Sequence, residues 1–299
     1  MLKVFFILFP GLFLFNACEK EDERMEEEMV KLQEFLEEKG YTSVEPTSSG
    51  LYHVVLTEGN GENPVRSDFV NISFIASLVD GTVFETSDRN IAMNHDIVRD
   101  DKLYGPAKFQ IQSLGITGLI EGLMLMKEGG ISRIIIPSGL AFGSIDYGII
   151  PPYSTLIYDV ELHDVISDPV EHEKNLLDDY IEENDITVTP TESGLYYIEK
   201  EEGEGDLPGE NASVTLHYTG ALLDGRVFDE TESDNPMVMS TGATNIIPGF
   251  IEGIKKMKKN GKARLIIPWS IGYGAEGSSE GIIPPYSTLV FDIEVIDIE

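Results

Sequence analysis

A chain of 299 residues with 41% apolar side chains can bury two cores of ordinary size, so disorder is excluded outside short stretches. Its 21 basic against 53 acidic residues leave a net charge of −32, which repels phosphate backbones and anionic headgroups and excludes nucleic acid as a partner. No Asp-rich loop has EF-hand spacing, so the carboxylates read as a solvated surface, and neither a metal nor a cofactor is expected.

Residues 1–17 begin with Lys3, run through an apolar stretch from Val4 to Phe15 and reach Asn16-Ala17-Cys18. That stretch is shorter than the roughly 20 residues that span a bilayer and fits the apolar region of a secretory signal. Cys18 is the one cysteine, so no intramolecular disulfide can form. A small residue before a cysteine at the end of such a region is similar to a bacterial lipobox, where the signal is cut and the cysteine acylated. The expectation is an exported protein, held to the periplasmic or cell-surface face of a bacterial membrane only by lipid on Cys18. Residues 18–25, including Glu19-Lys20-Glu21-Asp22-Glu23, then read as an acidic tether.

Beyond the tether, Met29, Leu32, Phe35 and Leu36 recur at helical spacing among Glu and Lys, and Lys39-Gly40 supplies a stop. A second amphipathic stretch carries Leu176, Leu177, Tyr180 and Ile181 and ends at Asn184. Each precedes one copy of an internal repeat. Gly-Ile-Ile-Pro-Pro-Tyr-Ser-Thr-Leu occurs at 148–156 and again at 281–289. Ser49-Gly50-Leu51-Tyr52 and Asp80-Gly81 through Phe84 recur 144 residues later, whereas Ile120-Glu121-Gly122 and Ile135-Ile136-Pro137 recur 131 later. Copy one thus has extra residues between Phe84 and Gly118, around Asp88 to Gly105. A period this long describes tandem globular domains rather than a solenoid. They are set at 26–167 and 168–299, each with its leading helix, joined at Ser167-Asp168-Pro169.

Inside each copy the pattern is alternation, as in Val214-Thr215-Leu216-His217-Tyr218 and from Val290 to Ile298, which predicts half-buried antiparallel strands. One segment, Gly249 to Gly261, has helical spacing with Phe250, Ile254 and Met257 on a face and lysines toward its end. Antiparallel strands with one short helix make an α+β domain.

Five motifs of copy two stand in the order of a known family: Val214 to Gly220, Gly225-Arg226-Val227-Phe228-Asp229, Ile246 to Gly253, Ile271-Gly272-Tyr273-Gly274, and Gly281-Ile282-Ile283-Pro284-Pro285 followed by Thr288 to Asp292. Copy two resembles an FKBP-type peptidyl-prolyl isomerase over essentially its whole length. The resemblance implies two tandem FKBP-like domains, each a curved antiparallel sheet wrapped around a short helix. It also implies prolyl cis–trans isomerisation during the folding of exported proteins, on proline-containing unfolded or folding polypeptides, with macrolide inhibitors as further ligands of the second domain. By position it assigns Tyr218, Phe228, Asp229 and Tyr273 to catalysis, and Met237, Met239, Ile246, Ile247, Phe250, Ile282 and Phe291 to substrate binding. Taken singly, each apolar residue reads as core. In this family the two roles coincide, because the pocket is the open mouth of the core.

Such a pocket suits the reaction, because rotation about an Xaa-Pro bond breaks amide resonance and needs no nucleophile. Each 1.4 kcal/mol removed from a barrier of roughly 18–20 kcal/mol gives about tenfold in rate. The twisted amide has lost charge separation and tolerates dry walls better than the planar one. Copy two lacks an arginine between Asp229 and Pro236 to pair with Asp229. Copy one loses more, with Phe74 at the Tyr218 position, Glu85 at Asp229, Ala107 at Met237, Gly115 at Ile246, Leu119 at Phe250 and Phe142 at Tyr273. Phe84, Ile116, Ile149 and Tyr158 remain, and copy one is expected to be inactive. The rival reading is a non-catalytic peptide-binding chaperone or assembly factor that uses both grooves.

Overall fold

The computed structural model describes residues 15–279 and 281–299. The expected signal segment lies outside them except for its last three residues. Helix α1 (Phe15–Glu38) opens the described chain and runs through 18–25, so the stretch read as a tether is helical. Its buried face is Glu28, Leu32, Phe35 and Leu36, whereas Met29 is 53% exposed. The expected stripe was therefore misplaced by one position at its start. The face i, i+4, i+7, i+8 begins on a carboxylate. At its end Gly40 takes a left-handed φ of 74°, and the amide of Tyr41 bonds the Leu36 carbonyl at 2.7 Å, a glycine-based helix stop.

The first sheet holds β1 (Tyr52–Thr57), β2 (Phe69–Leu78), β3 (Val83–Thr86), β4 (Ala107–Gln110), β5 (Ile131–Ile136) and β6 (Leu156–Ile166). Its order is β1-β5-β6-β2-β3, with β4 also on β2. Leu32, Phe35 and Leu36 pack with Val54, Ile135 and Ile157. The extra residues of copy one include a helix the sequence pattern did not reveal, α2 (Arg89–Asn94), capped by Asp88, whose carboxylate accepts from the amides of Asn90 and Ile91 at 2.7 and 3.1 Å. Helix α3 (Thr117–Leu125) lies close on β5: a Cβ at Gly118 or Gly122 would meet Ile136 or Ile134 within 2.5 Å.

The second sheet repeats the plan. Helix α4 (Pro169–Glu183) starts with Asp168 as cap and Pro169 in the first turn. Strands β7 (Tyr196–Glu201), β8 (Ser213–Leu222), β9 (Val227–Glu230), β10 (Met237–Ser240), β11 (Lys262–Ile267) and β12 (Leu289–Ile298) follow, ordered β10-β8-β12-β11-β7 with β9 on β8. Every pairing in this sheet is antiparallel. Helix α5 (Pro248–Ile254) is shorter than the helical pattern to Gly261 suggested. The chain beyond it is drawn toward strand neighbours: Glu204 N bonds Lys259 O at 2.7 Å and Asn260 N bonds Val295 O at 2.8 Å. The lysine-rich end of the pattern thus serves the sheet edge.

By contacts the chain divides into two compact units. Unit 1 comprises residues up to 66 with 72–97 and 111–165, and unit 2 comprises 67–71, 98–110 and 166–299. The unit boundary is therefore not the repeat boundary.

Candidate active site

In unit 2 the apolar core opens into a cluster of rings. Phe291, from the central strand β12, stands 5.0 Å from Phe250 of α5, 5.6 Å from Phe228 of β9 and 5.8 Å from Tyr218 of β8, centroid to centroid. Tyr218 also meets Phe250 edge-on at 5.7 Å. These spacings and the tilted or T-shaped geometries are those aromatic pairs prefer. The rings can close together because residue 220 of β8 has no side chain. A Cβ there would lie 2.7 Å from Phe291 and 2.8 Å from Phe228. Gly220 is a site-shaping residue that the sequence reading used only as a motif marker. A glycine inside an alternating strand was the available signal.

Phe250, Phe291 and Met239 are buried in this cluster, and Tyr218, Phe228, Met237, Ile246 and Ile247 pack against it, partly exposed. Buried rings thus stand behind partly exposed ones. Ile247 stands at the N-cap of α5, so α5 begins at the site. Ile282 is not among these residues; its neighbour Ile283 enters the core at 4% exposure, leaving Ile282 partly exposed at the margin. Tyr273 is 40% exposed, just past a tight turn at Trp269–Ile271.

The polar member is Asp229. Its carboxylate accepts the Tyr218 hydroxyl, which supplies the partner that no nearby arginine offers. Burial and this bond to Asp229 push the Tyr218 phenol well above the ordinary value, with Tyr273 adding to the effect. The phenol therefore stays protonated at neutral pH and remains a donor. The Tyr218 amide bonds Thr231 Oγ1 at 3.1 Å, fixing the strand beneath the ring.

Unit 1 keeps a reduced version. Tyr158 of β6 stands 6.1 Å from both Phe74 and Phe84, buried to 6% exposure, and its phenol is pushed up by burial and by the charge of Glu85. The tyrosine of this cluster thus stands on β6, with phenylalanine at the β2 position. Leu119 is buried, a Cβ at Gly115 would meet nothing within 4 Å, and Ile149 is 48% exposed. Phe142, at the Tyr273 position, packs instead on Tyr147 at 4.3 Å.

Among the described residues no group of three His, Cys, Asp or Glu could hold a metal, and no helix is long and apolar enough to cross a membrane. Comparison with known proteins gives a family model described as FKBP-type peptidyl-prolyl cis-trans isomerase, matching residues 60–163 and 205–296. FkpA of Escherichia coli K12, an FKBP-type peptidyl-prolyl cis-trans isomerase, is 39% identical over 112 residues, covering 38% of this chain and 40% of FkpA. The chain therefore spans well under two thirds of that relative's length. The FK506-binding protein of Neisseria meningitidis serogroup B is 38% identical over 106 residues, covering 35% of this chain and 96% of that protein. The crystal structure of E. coli FkpA aligns at 34% identity and a TM-score of 0.39, covering 44% of this chain and 61% of that one. With both repeats matched by one family model and both folded as six-stranded antiparallel sheets, the chain belongs to the FKBP-type peptidyl-prolyl cis-trans isomerase family.

Proposed function

We propose that the chain is a peptidyl-prolyl cis-trans isomerase whose catalysis resides in the second repeat. The observation that carries this is the ring cluster of Tyr218, Phe228, Phe250 and Phe291 with the Tyr218 hydroxyl on Asp229. The rings would take the prolyl side and provide dry walls that favour the twisted amide, while the amide of Ile247 and the hydroxyl of Tyr273 would hold substrate carbonyls. Tyr218 and Asp229 would shape and polarise the floor. The cofactor-free chemistry follows from the reaction itself, which rotates a bond and transfers no group. The proposed substrates are proline-containing polypeptides that fold after export, and macrolide inhibitors would compete for the same cluster. Export and acylation at Cys18 are part of this reading and rest on the pattern from Lys3 to Cys18.

The test is a protease-free isomerisation assay on the full chain, since residues 67–71 and 98–110 contribute to unit 2. Asp229→Val and Phe228→Ala are expected to lower kcat/KM by about tenfold or more, equivalent to about 1.4 kcal/mol. Glu85→Val and Phe84→Ala in the first repeat are expected to leave it within about twofold, because little transition-state stabilisation is assigned there. Equal losses from the two repeats would overturn the assignment to the second. A parent chain that binds proline peptides without turning them over would favour the reading as a non-catalytic peptide-binding chaperone.

A further inference from the structure

The carboxylate that heads the buried face of each leading helix is held differently in the two units. In unit 1, Glu28 is 7% exposed and accepts three bonds: from Ser138 N at 2.6 Å, Ser138 Oγ at 2.5 Å and Thr155 Oγ1 at 2.7 Å. It thereby pins the repeated Ile-Ile-Pro-Pro-Tyr-Ser-Thr string, whose Thr155 leads into β6. In unit 2, Glu173 of α4 does the same to the second string, accepting from Thr288 N at 2.5 Å. But Trp269 stands where the repeat has Ser138, so the serine hydroxyl that donates to the carboxylate in unit 1 has no counterpart. The Thr288 hydroxyl, the counterpart of Thr155, is buried and has no partner among the described residues.

A carboxylate that is 5% exposed and short of donors needs a countercharge. The countercharge is Lys108 of β4, whose Nζ lies 3.5 Å from Glu173 Oε2 and 3.4 Å from the Tyr286 carbonyl. Lys108 belongs to the first repeat by sequence and to unit 2 by contacts. Its neighbours reach the same parts of the unit. Arg226 Nη1 donates to the Pro106 carbonyl at 2.7 Å, Gly105 has a φ of 116° where a Cβ would lie 2.8 Å from Arg226, and Leu103 packs against the apolar cluster that contains the site rings. Phe69 meets Tyr286 edge-on at 5.8 Å. Apart from the Lys108 bond to Glu173 of α4 and the contact of Leu103, each of these contacts falls on one of two segments. One is the β8–β9 turn, two residues ahead of Phe228 and Asp229, and the other is the string that begins at Gly281 and Ile282.

We propose that Lys108 is a positioning residue for the second repeat's proline site, which is complete only with the 98–110 segment supplied by the first repeat. The inference rests on the isomerase reading above and adds a task for the first copy: it retains the scaffold because it lends this brace. Lys108 neutralises Glu173, Glu173 holds Thr288, and Thr288 closes the string that sets the margin of the ring cluster.

The test uses the full chain with Lys108→Met and with the double variant Lys108→Met/Glu173→Gln, which removes both buried charges together. Turnover of an Xaa-Pro peptide is measured, along with affinity for the same peptide and emission of Trp269, the one tryptophan, whose ring lies 5.0 Å from Tyr286. The single variant is expected to melt earlier because Glu173 is left unpaired. The double variant keeps an acceptor for Thr288 N but leaves the Tyr286 carbonyl without its Lys108 donor, so it is expected to recover most of the melting temperature yet keep a KM raised about tenfold, with kcat little changed and Trp269 emission displaced. A folded double variant with parental KM, affinity and emission would overturn the proposal and leave Lys108 a structural charge only. A parent without turnover would sink the isomerase reading alone. The brace would still be judged by peptide affinity, where parental values in the double variant count against it.

Discussion

Each ring cluster holds a tyrosine whose phenol is pushed up by burial and by the charge of a carboxylate, and this decides how each responds to alkali. Tyr158 is buried and its phenol is pushed above the ordinary value of about 10, first by burial and then by Glu85. Above pH about 10 the unfolded chain gives up this proton while the folded chain keeps it, so the unfolded state binds fewer protons and stability falls as pH rises. Below that pH the contribution is intact. Tyr158→Phe is expected to flatten the loss of stability above pH about 10, where the unfolded phenol ionises and the folded one does not, in urea midpoints. Identical slopes for parent and variant would contradict the burial argument. At Gly220 the expectation concerns space. Gly220→Ala must displace Phe228 or Phe291 and is expected to cost about 1–3 kcal/mol and to lower kcat/KM, both checked on the full chain. The roles of these residues were only half legible in the sequence. Phe228, Phe250 and Phe291 stand at recognisable positions, whereas the need for glycine at 220 arises from rings that approach from β9 and β12. No local pattern encodes that approach.

Helices α1 and α4 share one grammar: a buried glutamate, then apolar residues four, seven and eight positions on. Glu28 leads Leu32, Phe35 and Leu36, and Glu173 leads Leu177, Tyr180 and Ile181. Reading by hydrophobicity alone placed Met29 and Leu176 on these faces, yet they are 53% and 41% exposed. The period was legible, but the identity of the first residue was not. A carboxylate is an acceptable core residue only when distant donors meet it, here Ser138 and Thr155. Glu28→Ala leaves those donors unpaired in a buried place and is expected to cost about 2–4 kcal/mol. Met29→Ser is expected to change stability by less than about 0.5 kcal/mol. Denaturant midpoints compare the two directly, and similar values for both would mean that Glu28 is no anchor. The strands were more legible than the helices. In β12 the alternation survives from Phe291 to Ile296, where every second residue is buried, because pleating is a local property, whereas Leu289, Val290 and Phe291 are all buried. The truncation of α5 depends on backbone partners at 204 and 295 and had no local signal.

For the whole molecule, sequence similarity defines two repeats joined near residue 168, but contacts assign 67–71 and 98–110 to unit 2. The inserted stretch has no counterpart in the second copy, so comparison of the repeats could locate it without showing what it packs against. Net charge, by contrast, needs no coordinates. At −32 the chain is repelled by anionic lipid headgroups, and the repulsion extends over a Debye length of about 8 Å at physiological ionic strength. Membrane residence of so acidic a body calls for a hydrophobic attachment strong enough to offset that repulsion. The proposed attachment is the acyl group on Cys18, at roughly 0.8 kcal/mol for each methylene buried in the bilayer. On this account Cys18→Ala, expressed in a bacterial host, moves the protein from the membrane fraction to the soluble fraction and abolishes labelling by a fatty-acid probe. Lowering the salt should not restore binding to the variant, because weaker screening strengthens repulsion. A variant that stays with membranes, together with a parent that takes up no lipid label, would remove Cys18 as the anchor and leave the charge unexplained as a partner of any membrane surface.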